Sequence, residues 1–91
     1  MNQYVNTDEM AVAISGIQTQ ISNIKELISG FNPVSESLAG TTFPIKDSVE
    51  NSLKNVVNSY SEQIVPAIEK MNQKLEEVKQ KYINSLNVSG N

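Results

Sequence analysis

The stretch 10-MAVAISGIQTQISNIKELISGF-31 decides the fold of this chain. Its large apolar residues recur in alternating steps of four and three, a spacing that repeats every seven residues and places them along one side of an α-helix. The sequence therefore predicts a first helix over about residues 8–29 with one apolar seam. The seam consists of Met10, Ile14, Ile17, Ile21, Ile24, Ile28 and Phe31.

A second apolar stripe follows in steps of four, four and three residues, a period of about 3.67 residues per turn that is close to a straight helix. It predicts a second helix over about residues 44–86. Pro66 should kink this helix, but the stripe passes through the proline without a change of register. The stripe consists of Ile45, Val49, Leu53, Val56, Tyr60, Ile64, Ala67, Met71, Leu75, Val78, Tyr82 and Leu86.

The segment between the two stripes is expected to form a turn over residues 30–43. Gly30 is suited to end the first helix in the left-handed conformation, and Pro44 suits the first position of the second helix. Residues 87–91 are expected to form a tail. The chain is therefore predicted to be one all-α unit over residues 1–91, an antiparallel two-helix hairpin. Because the second helix is the longer one, its C-terminal part should project beyond the first.

A hairpin of 91 residues buries little surface, and the chain has no cysteine or histidine for a disulfide or a zinc site. We expect association to supply the missing burial, most simply as a dimer that forms a four-helix bundle. A second apolar line beside the stripe supports this prediction, although the same residues could form one broad face against the first helix. The predicted dimer interface consists of Val57, Ile64, Val65 and Ile68.

The composition argues against several classes of function. A net charge of −3, with all seven basic residues lysine, lacks the basic face that binding to nucleic acid requires. Without histidine, cysteine or arginine the chain offers few catalytic groups, so we expect no enzyme, no cofactor and no metal site. The polar faces are rich in glutamate, asparagine and glutamine, which argues against membrane binding. The N-terminal residues do not have the pattern of a cleaved signal peptide.

The sequence 36-ESLAGTTFPIKDSV-49 lies where the two helices join. With its hairpin pattern and this glycine-containing turn, the chain resembles the WXG-type family of type VII secretion substrates, in which a Trp-x-Gly turn joins two helices. Gly40 matches the glycine, Leu38 stands in the place of the tryptophan, and Phe43 belongs to the same turn motif. The second helix, with Pro66 six residues after an aromatic residue, resembles that of firmicute members of the family.

This resemblance implies a small non-enzymatic protein of a Gram-positive type VII system. It would be secreted as a dimer without a cleaved signal peptide, or act from the cytoplasm as a targeting partner before export. The implied partners are a second copy, a related helical hairpin, an LXG-type toxin and the type VII secretion ATPase. The alternative is a cytoplasmic helical scaffold or coiled-coil interaction protein with no link to secretion.

The C-terminal end departs from the family pattern. Family members that carry the export signal have Tyr-x-x-x-Asp/Glu late in the second helix or after it, whereas the fourth residue after Tyr82 is Leu86. The chain therefore resembles divergent members, such as the small helical partners of LXG-type toxins. Val78, Tyr82 and Leu86 are predicted to form a recognition element on the projecting end of the second helix.

Overall fold

The computed structural model describes residues 6–89, with side chains up to residue 85, and this part of the chain contains helices and no strand. The prediction of an all-helical chain with two long helices is confirmed. The helices are α1 (Thr7–Gly30), α2 (Asn32–Ala39), α3 (Lys46–Ser59) and α4 (Val65–Ser89), and a π-helical turn (Tyr60–Ile64) joins α3 to α4 without a break.

The helices form a hairpin with two arms. The first arm consists of α1 and α2, and the second arm consists of α3, the π turn and α4. The arms run antiparallel, because α1 packs on α4 and α2 packs on α3. The molecule is a rod of 70 × 19 × 18 Å, and none of the helices in its described part has the length and apolar composition needed to cross a bilayer.

The first helix begins at Thr7, one residue earlier than predicted. The Asn6 side-chain oxygen Oδ1 accepts hydrogen bonds from the backbone N–H groups of Asp8 and Glu9, both at 3.0 Å. These bonds satisfy two of the donors that a helix N-terminus leaves unpaired, and the two carboxylates lie where the helix dipole favours negative charge.

The burial of α1 matches the predicted seam at every position. Ile14 and Ile21 are buried, and the other five seam residues are half-buried. No proline or irregular turn interrupts this helix. Its heptad spacing therefore translates directly into one continuous apolar side that packs against α4.

The break after α1 is a bend and not a stop. Gly30 does not adopt a left-handed conformation, contrary to expectation, and Phe31 has right-handed helical angles of φ −79° and ψ −13°. Pro33 lies in the first turn of α2, where its missing N–H needs no partner. The predicted turn over 30–43 therefore contains a helix, which extends the first arm along α3.

Residues 40–45 form the tip of the hairpin, and Ile45 is the residue with a positive φ there. Ile45 has φ 59° and ψ 20°, in the left-handed region, and its side chain is 75% exposed. Because this conformation cannot continue a helix, α3 begins at Lys46 and not at Pro44. The Lys46 ammonium Nζ donates to the carbonyl oxygen of Ala39 at 3.0 Å and ties the end of α2 to the start of α3.

The π turn is explained by Pro66. A proline lacks the N–H of an α-helix and its ring crowds the carbonyl four residues earlier, here that of Glu62. The chain relieves this conflict by widening one turn, so the N–H of Val65 donates to the carbonyl of Tyr60, five residues back. The second helix remains continuous, with one additional residue in this turn.

The additional residue changes the register of the second helix, and the prediction of an unbroken stripe was wrong. After the π turn the positions that face α1 are Val65, Ile68, Asn72, Leu75, Lys79 and Tyr82, all buried or half-buried. Val65 is only 5% exposed. The prediction that Val65 belongs to a dimer interface is therefore wrong. The register change turns its side chain into the core of the hairpin.

The expectation that the C-terminal end projects also needs correction. The contacts Lys25–Glu69 and Ile14–Asn72 show that α1 pairs with α4. Continued along both helices, this pairing brings Val78 level with the first turns of α1. The part of the second arm beyond α1 is therefore α3, which α2 covers, because α2 lengthens the first arm at the tip.

Candidate interaction surface

The hairpin has two long sides of different chemistry. We use seam for the row of residues on each arm that face the other arm. On one side of the hairpin lie residues that come one position after a seam residue, among them Gln18, Lys25 and Glu69. The Lys25 Nζ and the Glu69 carboxylate form an exposed ion pair at 3.5 Å across the two arms. An open groove of about 850 Å³ runs along this side. We call it the polar side.

The other side carries most of the large apolar side chains that are exposed. Six of the eight large hydrophobic side chains that are exposed in the described part of the chain lie on it, with exposed fractions from 39% to 51%. We call this set the pairing face. It consists of Leu27, Val34, Val56, Ile64, Met71 and Val78.

Helix geometry explains why these residues share one side. Each of five comes one position before a half-buried or buried residue that faces the other arm, as Ile64 precedes Val65 and Met71 precedes Asn72. One residue corresponds to a rotation of about 100°, so all five are turned in the same sense from the seam. In antiparallel helices the same sense of rotation leads to the same side of the hairpin. Val34 follows Leu27 by seven residues and continues the row onto α2.

One polar residue lies within the seam itself. Asn72 is 8% exposed, and its Nδ2 donates to the backbone carbonyl oxygen of Ile14 at 3.4 Å. Its other side-chain atom, Oδ1, has no hydrogen-bond partner among the described residues. A buried asparagine of this kind lowers stability but favours one register of the helices, because a shifted register would leave both of its polar atoms unpaired.

The residues predicted for a dimer interface do not form one surface. Ile64 belongs to the pairing face. Ile68 is half-buried on the seam next to it, and Val57 is half-buried among residues that line a groove between α2 and α3. Val65 lies in the core, as described above.

The predicted C-terminal element is also divided. Val78 is 51% exposed because it lies on the pairing face and not because the helix projects there. Tyr82 is half-buried and takes part in an interaction of its own. The Leu86 side chain lies outside the described residues.

The predicted turn motif has ordinary backbone geometry. Gly40 has φ −84° and ψ −1°, and a methyl group added there would meet only the carbonyl oxygens of Glu36 and Ser37, at 3.6 and 3.9 Å. Leu38 and Phe43 are half-buried. Gly40 therefore has neither a positive φ nor a close approach by another residue, and the left-handed position at the tip is Ile45.

The sequence did not identify Leu27, Val34, Val56, Met71 and Asn72 as interaction or register residues. The spacing of apolar residues places Met71 on the stripe that faces α1, because spacing alone does not show the additional residue before Pro66. Leu27 and Val34 have a signal in the sequence, since they stand seven residues apart and outside the first seam. Asn72 has no such signal, because the spacing of apolar residues says nothing about a polar residue in the seam.

The described residues contain no group of three or more acidic, histidine or cysteine side chains that could hold a metal ion. The chain matches no protein-family model, no curated protein and no solved structure. The surface itself is therefore the starting point for the function.

Proposed function

We propose that this chain is a small non-enzymatic pairing protein of a type VII secretion system, of the WXG type. It associates through the pairing face with a second copy or with a related helical hairpin. The paired assembly is exported without a cleaved signal peptide, or it accompanies a secreted effector such as an LXG-type toxin to the secretion ATPase. In either case the function of the chain is recognition and not catalysis.

The observation that carries this proposal is the position of the exposed apolar side chains. Scattered single hydrophobic residues are common on protein surfaces, but a row along one side of a rod is typical of a surface that another chain covers. Ile64, Met71 and Val78 are spaced by seven residues, the repeat with which helices pack side by side. The opposite side of the same hairpin is polar and suited to face water.

The resemblance to WXG-type proteins supports the secretion part of the proposal. The hairpin, the Leu38–Gly40 pair at the end of the first arm, and Pro66 in the second arm are the features that carry it. In this reading Leu38 fills, with a smaller side chain, the place of the family's tryptophan.

An export assay tests the proposal. A tagged chain expressed in a Gram-positive host with a type VII system should accumulate in the culture medium, and deletion of the secretion ATPase should prevent this. Met71→Asp should strongly reduce export, because a charge on the pairing face opposes its burial against a partner. Gln73→Asp, which adds the same charge on the polar side, is the matched control and should be exported normally. Export that is equal with and without the ATPase contradicts the proposal.

The C-terminal end favours a second candidate. Leu86 stands where the family's export signal has an acidic residue, which fits a cytoplasmic helical scaffold that pairs through the same face and is never exported. The two candidates differ in one result. A scaffold stays in the cell fraction whether or not the ATPase is present, and its Met71→Asp variant loses only its partner.

A further inference from the structure

The seam of the hairpin changes in character along the rod. In the middle of the rod, α1 contributes Ile21, Ile24 and Ile28 to the seam. The second arm contributes Val65 and Ile68 there, and all five residues are buried or half-buried. Toward the chain ends the seam of α1 stays apolar, whereas that of α4 becomes partly polar. We call this part the free end, and it consists of residues 7–17 of α1 and 72–85 of α4.

Asn72 is the first polar seam residue of α4 in the free end. Its Nδ2 donates to the carbonyl oxygen of Ile14 at 3.4 Å, which is long for a hydrogen bond, and its Oδ1 has no partner among the described residues. When water reaches this oxygen, it gains the hydrogen bond that the closed seam does not provide. Opening of the seam therefore recovers part of the free energy that burial of the amide costs.

Lys79 is the second polar seam residue. Its side chain is only 18% exposed, and its ammonium Nζ pairs with the Glu76 carboxylate at 3.4 Å. Both residues belong to α4, so this ion pair persists when α4 moves away from α1. The pair does not hold the arms together, while the partial removal of the ammonium from water opposes closure.

The flanks of the seam give the free end little cover. The residues of α1 on either side of its seam are small and exposed there, with Ala13 and Gly16 on one side and Ala11 and Ser15 on the other. A Cβ atom added at Gly16 would meet no atom within 4 Å. The contact between the arms in the free end therefore depends on a seam in which α4 is partly polar.

We propose that the free end of the hairpin opens locally: α4 beyond Ile68 separates from α1 while the middle of the rod and the tip stay folded. The closed form covers Ile14, Ile17 and Leu75, and the open form makes them accessible to other molecules. Local opening is expected where few apolar contacts hold an element in place. The inference is independent of the proposed pairing function, because it concerns the contact between the two arms of one chain.

Cysteine labelling of the folded full-length chain tests this proposal, since the wild-type chain has no cysteine. Ile14 in the free end and Ile21 in the middle form a matched pair. They lie seven residues apart on α1, are 6% and 8% exposed, and line the same groove. With excess of the thiol reagent DTNB, Ile14→Cys should react at least about 10-fold faster than Ile21→Cys. Equal rates overturn the proposal.

The urea dependence of the two rates separates local from global opening. The rate of Ile14→Cys should hardly change at low urea concentration, because local opening exposes little surface, whereas the rate of Ile21→Cys should rise with urea. An equally steep rise in both variants means that the whole hairpin must unfold, and this result overturns the proposal. Circular dichroism checks that each variant keeps its helix content. If either does not, Ile17→Cys and Ile24→Cys, both at half-buried positions one heptad apart, replace the pair.

A second substitution tests the cause of the opening. Asn72→Leu in the Ile14→Cys chain should slow labelling at least about 10-fold, because it removes the buried oxygen that opening satisfies. Gln73→Leu, which adds the same side chain at the exposed neighbouring position, is the matched control and should change the rate by less than about threefold. A rate that Asn72→Leu leaves unchanged overturns the proposal. The experiment contains no partner and no export step, so its failure is distinct from failure of the secretion proposal.

Discussion

Asn72 of α4 donates a hydrogen bond from Nδ2 to the backbone carbonyl oxygen of Ile14 in α1, at 3.4 Å. It is a polar contact between the arms in a seam whose other buried residues are Ile14, Ile21 and Val65. Oδ1 of the same amide has no partner in the described part of the chain. Burying this oxygen without a hydrogen bond lowers the stability of the hairpin, and the bond from Nδ2 favours one register of the arms. The amide of Asn72 therefore favours one alignment of the two arms at a cost in stability.

Replacing this amide by an apolar side chain should stabilise the hairpin. Asn72→Leu removes the unpaired acceptor and should raise the free energy of unfolding by about 1–2 kcal/mol. Thermal unfolding followed by circular dichroism measures the effect, and Tm should rise by at least about 4 °C. Asn72→Asp is the matched control and should lower Tm, because it places a charge in the same buried position. A lower Tm for the leucine variant would mean that the hydrogen bond to Ile14 outweighs the unpaired oxygen.

The π turn should accept the loss of one residue. Deletion of Gln63 combined with Pro66→Ala leaves a regular α-helix in which Tyr60 and Val65 remain on the seam, four positions apart. This variant should keep the helix content and the Tm of the wild type or exceed them. Deletion of Gln73 is the control, because it shifts every later seam residue by about 100° and should unfold the C-terminal half. Equal damage from both deletions would contradict the register change assigned to the π turn.

The tip should gain stability from a change at Ile45 and little from a change at Gly40. A left-handed conformation costs a β-branched residue about 1–2 kcal/mol, and asparagine and glycine tolerate it much better. Ile45→Asn should therefore raise the free energy of unfolding by about 1 kcal/mol in urea denaturation. Gly40→Ala should change stability by less than about 1 kcal/mol, with an increase expected, since its φ is negative and the space is open. A destabilised Gly40→Ala variant would restore the special role that the turn motif suggested for this glycine.

The first helix could be predicted from sequence because nothing disturbs it. Its seam from Met10 to Phe31 needs only the heptad spacing, and the observed burial follows the same positions. The second arm could be predicted to be helical, but the positions that face the first arm could not. A proline inside a helix is compatible with a kink or with a wider turn, and the choice depends on whether Tyr60 and Val65 can both reach the first arm.

The bend after Gly30 could not be predicted from sequence for a related reason. An Asn-Pro pair often ends a helix, but a proline also suits the first turn of a new helix. Pro33 lies in the first turn of α2. If α2 is not recognised, the first arm is too short to cover α3, and the sequence wrongly predicts that the unpaired part of the second arm is its C-terminal end. The pairing face depends on both corrections, so its members could not be gathered from the spacing of apolar residues alone.

Sedimentation equilibrium of the purified wild-type chain and two variants tests the central claim most directly, namely that the apolar side of the hairpin is covered by another chain. We predict a dimer for the wild type, a folded monomer for Met71→Asp, and a dimer for Gln73→Asp, which adds the same charge on the polar side. Met71 is half exposed in the single chain, so the aspartate should cost little folding stability and act on association. Two variants that associate equally well would contradict the account, and so would a wild-type chain that stays monomeric at high micromolar concentration and binds no related helical hairpin.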